Sequence, residues 1–439
     1  MAKSTTPSFI TTISLVVTSQ AESELLSRFQ AGRQLYNALL NESMARMRLV
    51  QKSTHYQLAK SLNQGKARTE AFATARRQYR YSEYDLQAYA TVVANKSKWI
   101  AQKVDSNTQQ KLATRAFQSS EKVMFGRAKK VRFKVPSRFR SMEGKTNKQG
   151  IRWTGEQLVW GKLKLDALID QSKPVLMHGI TSEVKYVRIL WKEIRGKRRW
   201  YAQLINKGLP YQKAANFVTP GVVGLDLNIS NVAYVADSNA GLLPFAEKVS
   251  TFESEICAIQ RQMQRSQRQA NPDNYEPDSL GKKGRKTVVK KGKPKKGRRQ
   301  WHKSKRYQRL AGKKRELERR KSEYCKSQNR RLVNDILRNG NQIKIERVSV
   351  KGWQKNWGKA IGAKSPGFFQ SELKCKAENA GGSFYQFSTT KTALSQTHLT
   401  GERIKKSLSE RVHYDKSGVV MHRDLMSAFL SRHVYDDTL

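Results

Sequence analysis

Acidic residues are scarce: 35 aspartates and glutamates face 85 lysines and arginines in 439 residues, a formal charge of +50. A compact chain with that imbalance repels itself unless a polyanion neutralises it. Nucleic acid is the polyanion that fits, because every neutralised phosphate releases counterions. Cysteine is nearly missing. Cys257, Cys325 and Cys375 stand far apart in the sequence, which excludes a disulfide framework and a thiolate zinc motif and suits reduced thiols inside a cell. Long apolar runs are missing as well, so no segment reads as spanning a bilayer. The opening MAKSTTPSFITTISLVV has its short apolar stretch interrupted by Thr11, Thr12 and Ser14; it reads as a strand, not as a secretion signal. The expectation is a soluble cytoplasmic protein, associated with the nucleoid in a prokaryote, with no membrane partner. Its length allows two or three domains.

The texture changes along the chain. Residues 8–18 are rich in Ile, Val and Thr and predict a strand. From about Ala21 to Phe125 the apolar residues recur at helical steps (Leu25, Phe29, Leu35, Leu39), with further helices over 67–78, 84–96 and 106–124. Asp105 or Ser106 is placed to cap the last of these. Between Lys130 and Gly208 the pattern alternates in VRFKVP, GIRWTG, QLVWGKLKL, EVKYVRILWKEI and RRWYAQLI, predicting short antiparallel strands and a hairpin turning at Gly196. These make a small barrel, which the N-terminal strand completes. The boundaries are 1–19 and 129–217 for the barrel, 20–128 for a helical insertion, and 218–439 for the remainder. That last part reads strand–hairpin–helix–strand–helix–strand–helix, an α/β domain with a mixed sheet.

Within it, 271–300 is rich in Pro, Gly and Lys and is expected to be disordered without a partner. A long helix is predicted over 301–339, with Leu310, Leu317, Tyr324, Leu332 and Ile336 as its apolar stripe. From Lys282 to Arg331 there are 24 basic residues and three glutamates, more than a solvated face requires, so phosphate contact is the expected role. The flexible segment offers Lys282, Lys283, Arg285, Lys295, Lys296, Arg298 and Arg299. The helix offers Lys305, Arg306, Arg309, Lys313, Lys314 and Arg315. Trp301, Tyr307 and Tyr324 lie among them, either to stack on bases or to pack the helix on its sheet.

Three carboxylates sit where apolar surroundings make them costly. Asp226 interrupts the strand GVVGLDLNIS, Glu346 ends IKIE, and Asp424 opens the last helix after MHR. Singly, each has an ordinary reading: a turn residue, an exposed edge residue and a helix N-cap. Converging, they would hold two Mg²⁺ or Mn²⁺ ions for phosphodiester hydrolysis.

In their order and on these elements, the three resemble the TnpB family, transposon-encoded RNA-guided nucleases related to type V CRISPR effectors. GLDLNISNVAYVAD resembles the family's first RuvC motif. RRLVNDILRNGNQIKIERVSVKGW resembles the approach to the second. KCKAENAGGSFYQFSTTKTALSQT resembles the helix and strand that follow, and HRDLMSAFL the third motif. The resemblance is clearest over 218–439 and implies a ribonuclease H-like (RuvC) nuclease with catalytic, metal-binding Asp226, Glu346 and Asp424. It also implies a wedge-like barrel interrupted by a recognition lobe, a guide RNA, a DNA target beside a short flanking motif, and Mg²⁺ or Mn²⁺ as cofactor. In such complexes base pairing reads sequence while the protein reads backbone and shape.

The chain departs from the family at the zinc module between the second and third motifs, here the degenerate region 391–420. Aligning SQTHLTG and VHYDKSG puts the four ligand positions at His398, Thr400, Tyr414 and Ser417. Only His398 ligates zinc, and His413 and His422 nearby bring no thiolate, so no structural zinc is expected. His422 and Met426 stand where the family often has Asp and Asn around the third catalytic residue. These changes keep a second reading open: a nuclease-impaired, RNA-guided DNA-binding protein descended from the transposon enzyme. A strand-transfer transposase on a similar fold ranks lower, because it does not account for the barrel, the helical insertion and the basic helix.

Overall fold

The computed structural model describes residues 7–439 apart from 285, 298, 406, 408 and 409 and the side chain of residue 283. Arg285, Arg298 and the side chain of Lys283 therefore lie outside the described residues. The chain forms two compact units, dividing between Tyr211 and Gln212.

In the first unit, β1 (Ser8–Leu15) leads into six helices: α1 (Ser19–Lys52), α2 (Thr54–Ser61), α3 (Lys66–Gln78), α4 (Glu83–Lys96), α5 (Lys98–Lys103) and α6 (Ser106–Met124). Thr18 caps α1, and Asp105 caps α6 by accepting from the Thr108 amide, satisfying donors that a helix start leaves free. The chain then returns to strands with β2 (Ser141–Glu143), β3 (Ile151–Trp153), β4 (Gln157–Trp160) and β5 (Leu163–Leu168). A short α7 (Pro174–Thr181) precedes the long pair β6 (Val184–Ile194) and β7 (Lys197–Lys207). The sheet order is β2-β6-β7-β1-β5-β4-β3, antiparallel throughout. Asn147 ties its two ends: its amide donates to Lys185 O (3.1 Å), while its side chain brackets Trp153 N and O. The β6–β7 turn falls at Arg195–Gly196, both left-handed (φ 50° and 75°), as a two-residue hairpin of this twist requires. Helices and strands share one core, in which Leu25, Phe29 and Leu112 meet Trp153, Trp160 and Trp200.

One strand expected from the sequence does not form. VRFKVP is irregular, because the Asn37 side chain takes both the N–H and the C=O of Lys134 that a strand neighbour would have used.

The second unit is α/β. It contains β8 (Val222–Leu227), β9 (Asn231–Val235), β10 (Ala240–Pro244), α8 (Val249–Gln269), the ribbon β11 (Ser279–Lys283) and β12 (Lys286–Lys290), and α9 (Lys305–Leu337). Then come β13 (Gln342–Glu346), α10 (Val350–Lys364), α11 (Pro366–Asn379), β14 (Ser383–Phe387), a short α12 (Thr389–Thr392), the hairpin β15 (Val412–Tyr414) and β16 (Val420–His422), and α13 (Arg423–Ser431). Five strands pair in the order β10-β9-β8-β13-β14. β8, β13 and β14 run parallel, whereas β9 and β10 are joined antiparallel. Val223, Leu225, Ile343 and Ile345 fill a core with Val333 and Ile336 of α9 and Phe369 and Leu373 of α11. Among the described residues no helix is long and apolar enough to cross a membrane, and the three cysteines are free.

The stretch 271–300 was expected to be disordered without a partner. This stretch carries the β11–β12 ribbon and is tied down by polar side chains. Asp278 accepts from the Gly292 amide (2.9 Å) and pairs with Lys291 (2.6 Å). Arg268 donates to Gly292 O, and Asn271 bridges to both backbone groups of His302. Composition hid these few anchoring bonds among many lysines. Asp278→Ala is expected to loosen the ribbon locally, speeding amide exchange over 279–292 by about tenfold or more while the exchange of β8 and β13 amides stays unchanged.

Candidate active site

Register places the first two carboxylates. Leu225 pairs with Ile345 across parallel β8 and β13, so the next residues, Asp226 and Glu346, stand at one level on neighbouring strands and share a face. Asp226 is a strand residue opposite Ala233, not part of the turn that follows at Asn228.

The third carboxylate arrives on α13, and Gly224 is the reason it can. Gly224 lies two residues before Asp226, on the same face of β8. A Cβ at Gly224 would fall far inside contact with the Ala428 carbonyl oxygen and the Ser431 hydroxyl. The helix backbone therefore rests directly on the strand. Asp424 stands four residues before Ala428, one turn along α13, while Asp226 stands two residues beyond Gly224; helix and strand advance by nearly the same distance over those steps. Lys344, level with Gly224 on β13, donates to Arg432 O (2.8 Å) and Val434 O (2.9 Å), fixing the helix's far end. His422 caps α13 by accepting from the Asp424 amide (3.2 Å). Asp424 is thus inside the first turn and is not the N-cap, which leaves its buried carboxylate for other partners.

The electrostatics show Asp226 responding to both other carboxylates. Burial, then Asp424, then Glu346 drive the Asp226 carboxyl well above its ordinary value, while Arg423 and Arg411 pull it partly back. Burial lifts Glu346 from 4.5 to about 7, against a downward pull from the Leu394 amide. Both residues are half-buried. Buried carboxylates of like charge on neighbouring elements are unfavourable without a cation, and an all-oxygen donor set suits Mg²⁺ or Mn²⁺, although the oxygens of the three do not all lie within 4.8 Å of one another.

A pH dependence follows for the metal-free protein. Glu346 holds its proton more tightly folded than unfolded, so the associated stability is fully present below about pH 4.5 and is lost as pH rises through about 7. The loss is up to about 3 kcal/mol. Wild-type protein in chelator is expected to melt lower at pH 8 than at pH 5 by more than Glu346→Gln does, as scanning calorimetry would show.

The sequence reading overlooked Arg423 and Arg411. Arg423 is 8% exposed and donates to Ser407 O (3.0 Å), and its Nε has no hydrogen-bond partner among the described residues. Its place beside Asp424 in HRD was the available signal.

The basic residues divide by setting. Lys282, Lys295, Lys296, Lys305, Arg306, Arg309, Lys313 and Arg315 are exposed. Lys314 is half-buried and pairs with Glu318 (3.4 Å). Arg299 lies 5.7 Å over the Trp301 ring, which meets Tyr275 edge-on. Tyr324 packs on Phe252 of α8 and accepts from the Lys248 amide, and Tyr307 is half-buried. Trp301 and Tyr324 therefore pack within their own unit.

No family model matches the chain, and no curated protein matches it. Among solved structures it is similar to a Cas12f1–sgRNA–target DNA complex at 8% identity and a TM-score of 0.47, over 97% of this chain and 98% of that one. It is also similar to a CRISPR-Cas12f ternary complex at 10% identity and a TM-score of 0.34, over 94% and 82%. Likeness at these levels leaves the site itself to carry the functional reading.

Proposed function

We propose that the chain is an RNA-guided, divalent-metal-dependent DNA endonuclease with a ribonuclease H-like (RuvC) site, of the transposon-encoded TnpB kind. The observation that carries this reading is the placement of Asp226 and Glu346 at one level on adjacent parallel strands, with Asp424 on the helix packed over Gly224 and its charge felt at Asp226. A five-stranded mixed sheet whose second and third strands fold back as a meander, with acids at the ends of the first and fourth strands, supports the ribonuclease H-like assignment.

Asp226, Glu346 and Asp424 would hold the divalent ions, which when bound supply an activated water and stabilise the leaving oxygen of a phosphodiester. The protein's own work is positional. β8 and β13 set two ligands at one level, Gly224 admits the third, and Arg423 and Arg411 offset part of the negative charge before substrate arrives. Guide RNA and target DNA are the proposed partners. The exposed cations of the β11–β12 ribbon and of the first half of α9 would contact their backbones without reading bases. The barrel 1–19 and 129–217, with its insertion 20–128, is the proposed wedge and recognition lobe.

Sequencing the RNA that copurifies with the protein tests the guided part of the reading. A single discrete species that survives high salt is expected. Heterogeneous RNA removed by salt would point to a basic protein of another class. Discrete RNA with guided DNA binding but no cutting would instead identify the impaired, binding-only descendant.

A further inference from the structure

Between the second and third carboxylates the chain makes two turns of the same form. His398 donates its amide to Glu402 O (2.9 Å) and its carbonyl accepts from Gly401 N (2.9 Å). Asp415 donates its amide to Val419 O (2.8 Å) and its carbonyl accepts from Gly418 N (3.0 Å). Gly401 and Gly418 occupy the left-handed region (φ 82° and 88°) that closes each turn. The turns clasp one another reciprocally: Leu399 N, just after His398, donates to Asp415 Oδ2 (2.9 Å), and Lys416 N, just after Asp415, donates to His398 Nδ1 (3.2 Å). His413, two residues upstream on β15, brings its Nε2 to 3.1 Å from the same Asp415 oxygen, and its ring lies 4.8 Å from that of His398. All three side chains are buried.

His398 Nδ1, which accepts from the Lys416 amide at 3.2 Å, also faces the Asp415 carboxylate oxygen at 3.2 Å; the nitrogen has one lone pair, so a bound ion would take it in place of that amide. Two acceptors in contact repel unless something positive joins them. The nearby Lys416 ammonium is paired with Glu402. The Asp415 carboxylate accepts from the Leu399 amide at Oδ2 (2.9 Å) and from the Ser417 amide at Oδ1 (2.9 Å), which fixes its orientation towards the two rings.

We propose that His398, His413 and Asp415 form a binding site for a borderline transition-metal ion, zinc foremost, separate from the three-carboxylate site. Two imidazoles and one carboxylate are a zinc donor set. Ligands around a tetrahedral ion with bonds near 2.0–2.1 Å stand about 3.3 Å apart, close to the 3.2 and 3.1 Å found here. The positions weighed from the sequence missed this set because they were counted by thiolate spacing and did not include Asp415. The ion would lock the two turns together ahead of α13, which carries Asp424.

The test is the metal content of the full-length protein, read by elemental mass spectrometry after zinc loading and desalting, and by cobalt(II) absorption. Wild type and Asp226→Ala are each expected to retain one zinc per chain and to give the intense visible bands of tetrahedral cobalt. His413→Ala and Asp415→Ala are expected to lose both. His398→Cys keeps the ion and adds a near-ultraviolet thiolate-to-cobalt band, so a signal appears that misfolding cannot produce. Zinc content in wild type no higher than in Asp415→Ala, or His398→Cys cobalt protein without the thiolate band, overturns the proposal. Loss of zinc in Asp226→Ala would overturn its separateness from the carboxylate site.

Discussion

Asp226→Asn is expected to lower guided DNA cleavage by at least about a thousandfold and, in the same protein, to raise the melting temperature measured in chelator. The two effects have one cause. Burial and the neighbouring carboxylates Asp424 and Glu346 make the Asp226 charge costly in the metal-free fold, so removing it relieves the protein while removing a ligand. Asparagine keeps the shape and the β8 pairing with Ala233, so guide and target binding are expected to stay within a few-fold of wild type. A fall in both activity and melting temperature would mean that Asp226 is a structural group paired with Arg423 or Arg411. Electrophoretic binding, cleavage rate and calorimetry on one preparation decide between these outcomes.

Gly224→Ala is the second large effect, and it tests the route by which Asp424 reaches the site. One methyl group at Gly224 meets the backbone carbonyl of Ala428, the Ser431 hydroxyl and the Arg432 side chain. A flexible side chain can move aside, but the α13 backbone moves only with the whole helix. Overpacking of this kind typically costs about 1–3 kcal/mol. The expected catalytic loss is larger than that stability loss explains, because a displacement of about 1 Å at a positioned group costs roughly a hundredfold. Cleavage by Gly224→Ala is therefore expected to fall by about a hundredfold or more at a temperature where circular dichroism shows it folded. Full activity in the folded variant would mean that α13 does not set the site.

Much of this arrangement was legible in the sequence, where local rules operate. Gly196 announced the β6–β7 hairpin, Asp105 or Ser106 announced the cap of α6, and the acids in GLDLN, IKIE and HRD stood out because their surroundings are apolar or motif-like. What was missed depends on groups distant in the chain. Gly224 reads as an ordinary strand glycine until Ala428 is above it. The ribbon 279–290 reads as disorder until Asp278 and Arg268 meet Gly292. VRFKVP reads as a strand until Asn37 claims Lys134. α10 went unread because its glycines and scattered tryptophans carry little helical periodicity. The His398–His413–Asp415 cluster joins two turns whose reciprocal bonds no spacing rule encodes.

The most direct test of the central claim is cleavage of plasmid DNA by protein co-expressed with RNA from its own locus, with Mg²⁺ present or chelated. The DNA either matches or does not match the RNA. Cutting of matched plasmid that requires Mg²⁺ and disappears in Asp226→Ala is the predicted result. Cutting that persists in chelator or in Asp226→Ala, or guided binding with no cutting at any Mg²⁺ or Mn²⁺ concentration, would contradict it.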